Sequence, residues 1–173
     1  MLAYLFVVLA FFFRFVPHPW GFTPVAGALL FFAARTSRRQ LWFPWALFVF
    51  SDVILSKFVY AWHLSWDQMA TWLWYGAILF LGTRLRDNAK PFWIFGSAVA
   101  SAVSFFLVSN FMVWALQNMY PKTVAGLMAC FALGLPFFER GVMGDVFFTS
   151  LMFLVAAILA HMEKRAPSKP AAA

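Results

Sequence analysis

The absences in this chain narrow its class before any motif is read. A single cysteine, Cys130, rules out an intrachain disulfide, and no Cys/His spacing resembles a zinc site. The Walker pattern G-x-x-x-x-G-K-[ST] does not occur, so the chain carries no ATPase of its own. H-E-x-x-H, G-x-S-x-G and paired-carboxylate spacings are also missing, which leaves His18, His63, Asp52 and Glu139 without a catalytic frame. No catalytic residue, metal ligand or resident cofactor is therefore expected. Charge is scarce, at 11% of residues, and acids are scarcer still, six against thirteen lysines and arginines. Short alternating strands, the mark of a membrane barrel, are not seen.

What the chain has in abundance is apolar surface. Of its 173 residues 64% are hydrophobic and 21% aromatic, and the mean hydropathy is +0.81, far outside the usual soluble range. This composition predicts an all-α membrane protein. Apolar pieces fall near 1–16, 20–34, 41–57, 68–83, 92–116 and 142–162, with a further stretch at 124–138. Several approach the roughly 17 to 25 residues that a helix needs to cross a hydrocarbon core of about 30 Å. The N-terminal MLAYLFVVLAFFF lacks the basic start and small-residue cleavage site of a signal peptide, and reads as a retained first span.

The net charge of +7 does not point to nucleic acid, because the cations lie in short connections between apolar segments. Arg35, Arg38 and Arg39 follow the second piece, Arg84, Arg86 and Lys90 the fourth, and Lys164, Arg165 and Lys169 the last. Nine of the thirteen basic residues thus occupy alternate connections, the positive-inside pattern. Six crossings with both termini cytoplasmic satisfy it, giving one transmembrane domain over 1–162 and a disordered cytoplasmic tail over 163–173. A seventh crossing at 124–138 would put the basic C-terminus outside. That stretch is therefore expected as an extra outer or re-entrant segment before the last helix, with Pro136 and the Gly141–Gly144 region turning the chain.

Polar residues then fall at uneven depth. Arg14, His18, Ser51, Asp52, Ser109, Asn110 and Asp145 all sit toward the outer surface, while the inner halves hold almost nothing ionisable. A charge inside a bilayer must face the bundle interior or water. One reading is that Arg14 and Asp52 merely pair to lock helices; the one-sided clustering favours a cavity open to the outside. In the fifth span, Ser97, Ser101 and Ser104 share one stripe and Asn110 and Trp114 roughly the opposite one, so one side packs and the other faces a pocket. Gly96 and Ala100 are expected to aid the packing. Tyr120 gathers with Lys122 and Thr123 beside Pro121, and Cys130 reads as an inert packing residue. Pro17, Pro19 and Pro24 in RFVPHPWGFTP prevent one continuous helix and force a tight outer connection. Arg14 and His18 are left at the cavity mouth, where a guanidinium can hold a carboxylate or phosphate by paired hydrogen bonds.

RFVPHPWGFTP, SD at 51–52, SNFMVW at 109–114, MYPKTVAGLMACFALGLPFF at 119–138 and GD at 144–145 resemble, in order and spacing, a family of bacterial membrane proteins similar to the substrate-binding S-components of energy-coupling-factor transporters. The likeness covers about 14–150. It implies six helices in the bacterial cytoplasmic membrane and a vitamin-sized ligand captured from the outer side. It also implies ligand contacts in the loop between spans five and six, and a partner complex of one transmembrane coupling subunit with two ATPases. Gly21 departs from the pattern, standing where the family's turn is expected to have an asparagine. The substrate-binding candidates are Arg14, His18, Asp52, Asn110, Trp114 and Tyr120. The alternative is a structural or assembly subunit of a membrane complex, with no small-molecule ligand.

Overall fold

The computed structural model describes residues 1–61 and 66–165, with the side chain of Asp67 outside the description. Six α-helices follow in chain order: α1 Leu2–Phe13, α2 Val25–Arg35, α3 Trp42–Ile54, α4 Trp66–Thr83, α5 Pro91–Leu116 and α6 Val124–Arg165. No strand occurs among the described residues. A 3₁₀ turn, Arg38–Gln40, leads into α3, and a π-helical turn, Leu55–Val59, extends it. Three segments, Arg38–Val59, α5 and α6, are long and apolar enough to cross a membrane.

The centre of the bundle is α2. Every residue from Val25 to Ala34 is buried, the expected state for a helix that is apolar all round. It packs against α1, α4 and α6. Two glycines set the close crossings: a Cβ on Gly27 would lie 2.9 Å from the Thr149 nitrogen of α6. One on Gly82 of α4 would lie 2.8 Å from the Leu30 carbonyl oxygen. Phe31 and Phe32 fill the core on either side, edge-on to Phe153 at 5.0 Å and Tyr4 at 5.0 Å.

Helix lengths are unequal, and this makes room for the site. At about 1.5 Å per residue, the 12 residues of α1 and the 11 of α2 reach about 18 and 16 Å. The 26 of α5 and 42 of α6 reach about 39 and 63 Å. Met1–Tyr4, Arg35, Thr36 and the stretch from Ala156 to Glu163 border one cleft, so both ends of the described chain lie at the same end of the bundle. At the opposite end α1 stops at Phe13, and the connection 14–24 caps the space that the two short helices leave open.

The stretch 124–138 is not a separate outer or re-entrant segment. It forms the first turns of a continuous α6 that runs through Pro136. In apolar surroundings a helix persists through proline, because the alternative exposes several backbone groups with no water to bind them. The Gly141–Gly144 region is likewise not a turn. Gly144 lets α6 approach the 14–24 connection, where a Cβ would lie 3.1 Å from both Phe22 Cα and the Thr23 nitrogen. At the far end α6 continues to Arg165, so 163–165 are helical; the rest of the expected tail lies outside the described residues.

Candidate functional site

Beneath the 14–24 connection lies a partly open cavity of about 790 Å³. Its wall is assembled from the end of α3 with its π turn, the start of α4, the second half of α5, and the middle of α6 around Gly134 to Asp145. All these stretches lie away from the cleft that borders both ends of the described chain.

The connection is shaped by Gly21, whose φ of +87° suits glycine and which presses on α6 so closely that a Cβ would stand 2.9 Å from the Phe137 carbonyl oxygen. His18 sits against the Phe13 ring at 5.1 Å, and its Nδ1 lies 2.6 Å from the Val16 carbonyl oxygen. A carbonyl only accepts, so Nδ1 carries the proton of that bond and Nε2 is left for other partners.

Arg14 anchors a buried polar network on one wall. Its Nη2 forms an ion pair with Asp52, while Nη1 donates to Ser51 Oγ at 2.6 Å and to the Tyr75 hydroxyl at 3.4 Å. Asp52 in turn accepts from Trp72 Nε1 at 3.0 Å and from Tyr75 at 3.3 Å. Five side chains from the end of α1, α3 and α4 thereby satisfy one another. Directly after Asp52 the π turn shifts the face of the chain, and Leu55, Ser56 and Val59 reach the cavity. Gln68 Nε2 of α4 donates to Ser56 Oγ at 2.5 Å.

On the other side, α5 and α6 meet through a small seam. Asn110 Nδ2 donates to the Phe106 carbonyl at 2.8 Å, and a Cβ on Gly134 would come within 2.5 Å of Asn110 Oδ1. Cys130, buried, donates its thiol to the Asn110 carbonyl at 3.3 Å, which makes it a packing residue. The serine stripe of α5 does pack: Ser97 and Ser101 are buried and Ser104 Oγ accepts from Trp74 Nε1 of α4 at 3.0 Å. Gly96 and Ala100, however, are exposed, and nothing lies within 4 Å of a Cβ at Gly96. Ala98 and Ala102 take their place in the seam because they lie on the buried face.

Four of the six candidate residues, Arg14, His18, Asp52 and Asn110, line this one cavity; Trp114 and Tyr120 do not. The Trp114 indole donates to the Pro121 carbonyl at 2.9 Å, and Lys122 Nζ donates to the Trp114 carbonyl, so this group builds the α5–α6 turn. His63 lies outside the described residues. Sequence reasoning missed Gln68, Thr71 and Tyr75, which line the cavity from α4. Their 68, 71, 75 spacing is that of one helix face and was a readable signal. Asp145 was placed at the right depth but not assigned to the site; it too lines the cavity. No group of three or more potential metal ligands occurs among the described residues.

Long apolar helices around a ligand-sized hollow define an all-helical membrane protein with an internal binding cavity as its candidate site. The chain belongs to a family of unknown function (DUF6580), whose profile matches residues 1–169. No curated protein and no solved structure matches it.

Proposed function

We propose that the protein is a substrate-binding subunit of the bacterial cytoplasmic membrane. It captures a vitamin-sized molecule from the outer side and passes it inward, in the manner of an S-component. The observation that carries this reading is the cavity. Its volume of about 790 Å³ lies within the roughly 300–1,000 Å³ of small-molecule sites, and apolar walls with a few convergent polar groups are their usual make-up. The basic connections support the orientation. Arg35 borders the cleft beside both ends of the described chain, and Arg86 Nε donates to the Ala33 carbonyl at 2.9 Å, which brings the α4–α5 connection to the same end. With that end cytoplasmic under the positive-inside rule, the protein crosses six times and its cavity faces outward. Lacking a Walker motif, the subunit takes its energy from partners, a transmembrane coupling subunit with two ATPases.

Mass spectrometry of small molecules released from the detergent-purified protein tests the reading. A stoichiometric non-lipid compound is expected, as is thermal stabilisation by that compound that Asn110→Ala reduces. Release of lipid alone, with no stabilisation by any vitamin or nucleobase precursor, would overturn it. One observation favours the second reading, an assembly subunit: only 11% of the most apolar stretch of α5 is buried, leaving a long face for another membrane protein. Copurification with a complex that contains no ATPase would decide for it.

A further inference from the structure

The charged side chains on the cavity wall do not contribute equally to its field. Arg14 and Asp52 neutralise each other in an ion pair, and both make further hydrogen bonds. Asp145 is different. It projects from the middle of α6, is 7% exposed, lines the cavity, and has no hydrogen-bond or ion-pair partner among the described residues. One turn before it, Gly141 has no side chain, and a Cβ there would find only the Gly21 carbonyl oxygen at 3.9 Å. Gly141 and Asp145 both line the cavity, so this stretch of α6 borders the hollow beside the Gly21 turn. One turn after it, the fully buried Thr149 hydroxyl also lacks a partner. A buried carboxyl in apolar surroundings is costly unless a donor or a cation reaches it. Nothing among the described residues does so, and Asp145 lines the cavity.

We propose that the cavity binds an organic cation, an amine, amidinium or protonated amino-heterocycle, whose N–H groups bond to Asp145 while its flat body lies among Phe105, Phe106, Phe137 and Phe138. This rests on the reading of the cavity as a solute site and adds the chemistry of the ligand. A carboxylate accepts two parallel N–H bonds from a planar amidinium, and aromatic walls attract the same positive charge through their ring faces. The anion expected for Arg14 is disfavoured on both counts, since that guanidinium is already occupied by Asp52 and Ser51.

Three probes of nearly one shape separate the possibilities: benzamidinium, neutral benzamide and anionic benzoate. They are titrated by ligand-observed NMR into the full chain, purified in a neutral detergent. Benzamidinium is expected to bind at least about tenfold more tightly than the other two, the worth of one charge-assisted hydrogen bond. Asp145→Asn should erase that preference, and Asp145→Glu should keep most of it. If benzamide or benzoate binds as well as benzamidinium, or Asp145→Asn leaves the ranking unchanged, the cation assignment fails while the solute site stands. If none of the three binds, the cation assignment fails, and the solute site is judged separately by the mass spectrometry and thermal stabilisation described above. The ranking on the unaltered chain decides the matter even if Asp145→Asn does not fold.

Discussion

Replacing Arg14 by methionine removes the positive charge that Asp52 was buried against. The two side chains are 15% and 9% exposed, so solvent screens the pair little. Breaking a buried ion pair from one side costs about 3–5 kcal/mol, because the remaining charge is left uncompensated. Asp52 keeps its bonds from Trp72 and Tyr75, which places the expected loss at the lower end, about 3 kcal/mol. For a chain of this length each kcal/mol moves Tm by about 2–4 °C, so Arg14→Met should lower Tm by about 6–12 °C. The assay is a thermal melt of the detergent-purified protein, run for Arg14→Met, Asp52→Leu and the double variant. Removing both charges together leaves neither one unpaired, so the double variant should melt well above the sum of the two single losses. Single variants within about 1 °C of the parent, or a double variant whose loss equals that sum, would refute the idea that this pair locks α1 to α3.

Gly21→Ala should destabilise by about 1–3 kcal/mol, since its positive φ and the nearby Phe137 carbonyl oxygen both oppose a Cβ. Gly96→Ala, where the added methyl meets nothing, should instead stabilise by up to about 1 kcal/mol; chemical or thermal melts of the two variants check the contrast. In a Cys130→Ala background, single cysteines at Ser37 and Asp87 should be labelled by a membrane-impermeant maleimide only after cells are opened, and one at Lys122 in intact cells; the reverse pattern would invert the topology. Lys122→Met removes the cation that bonds the Trp114 and Gln117 carbonyls at the end of α5, and should lower Tm slightly without changing ligand binding in the cavity.

Four of the cavity's polar members were legible because depth alone sorted them. Arg14, His18, Asp52 and Asn110 lie at one level along helices of known rise, and the structure puts them on one hollow. Trp114 shares that level and a face with Asn110, yet its indole turns to the Pro121 carbonyl. A helical wheel fixes direction only within the helix and says nothing of a loop folding back. The length of α6 was not legible either. Pro136, Gly141 and Gly144 read as punctuation in water, where freed backbone groups find solvent, but in an apolar bundle the helix runs through all three and Gly144 serves close contact. The π turn after Asp52 has no composition cue, and Ser56 and Val59 line the cavity from it. Nor can a sequence reveal that Asp52 is partnered and that Asp145, among the described residues, is not.

In the proposed six-span arrangement, the short α1 would also shape the membrane around the protein. Leu5, Leu9 and Phe12 present an outward greasy flank on a helix of 12 residues, little more than half the roughly 30 Å of acyl chain that surrounds it. Around the corner, α5 offers a flank taller than the bilayer core. Lipid cannot match both heights at once. The leaflet has to sag beside α1, at a cost of fractions of a kcal/mol for each ångström of mismatch. Thinner or more fluid membranes would therefore suit this protein best, and a neighbour that screened the short flank would remove that penalty.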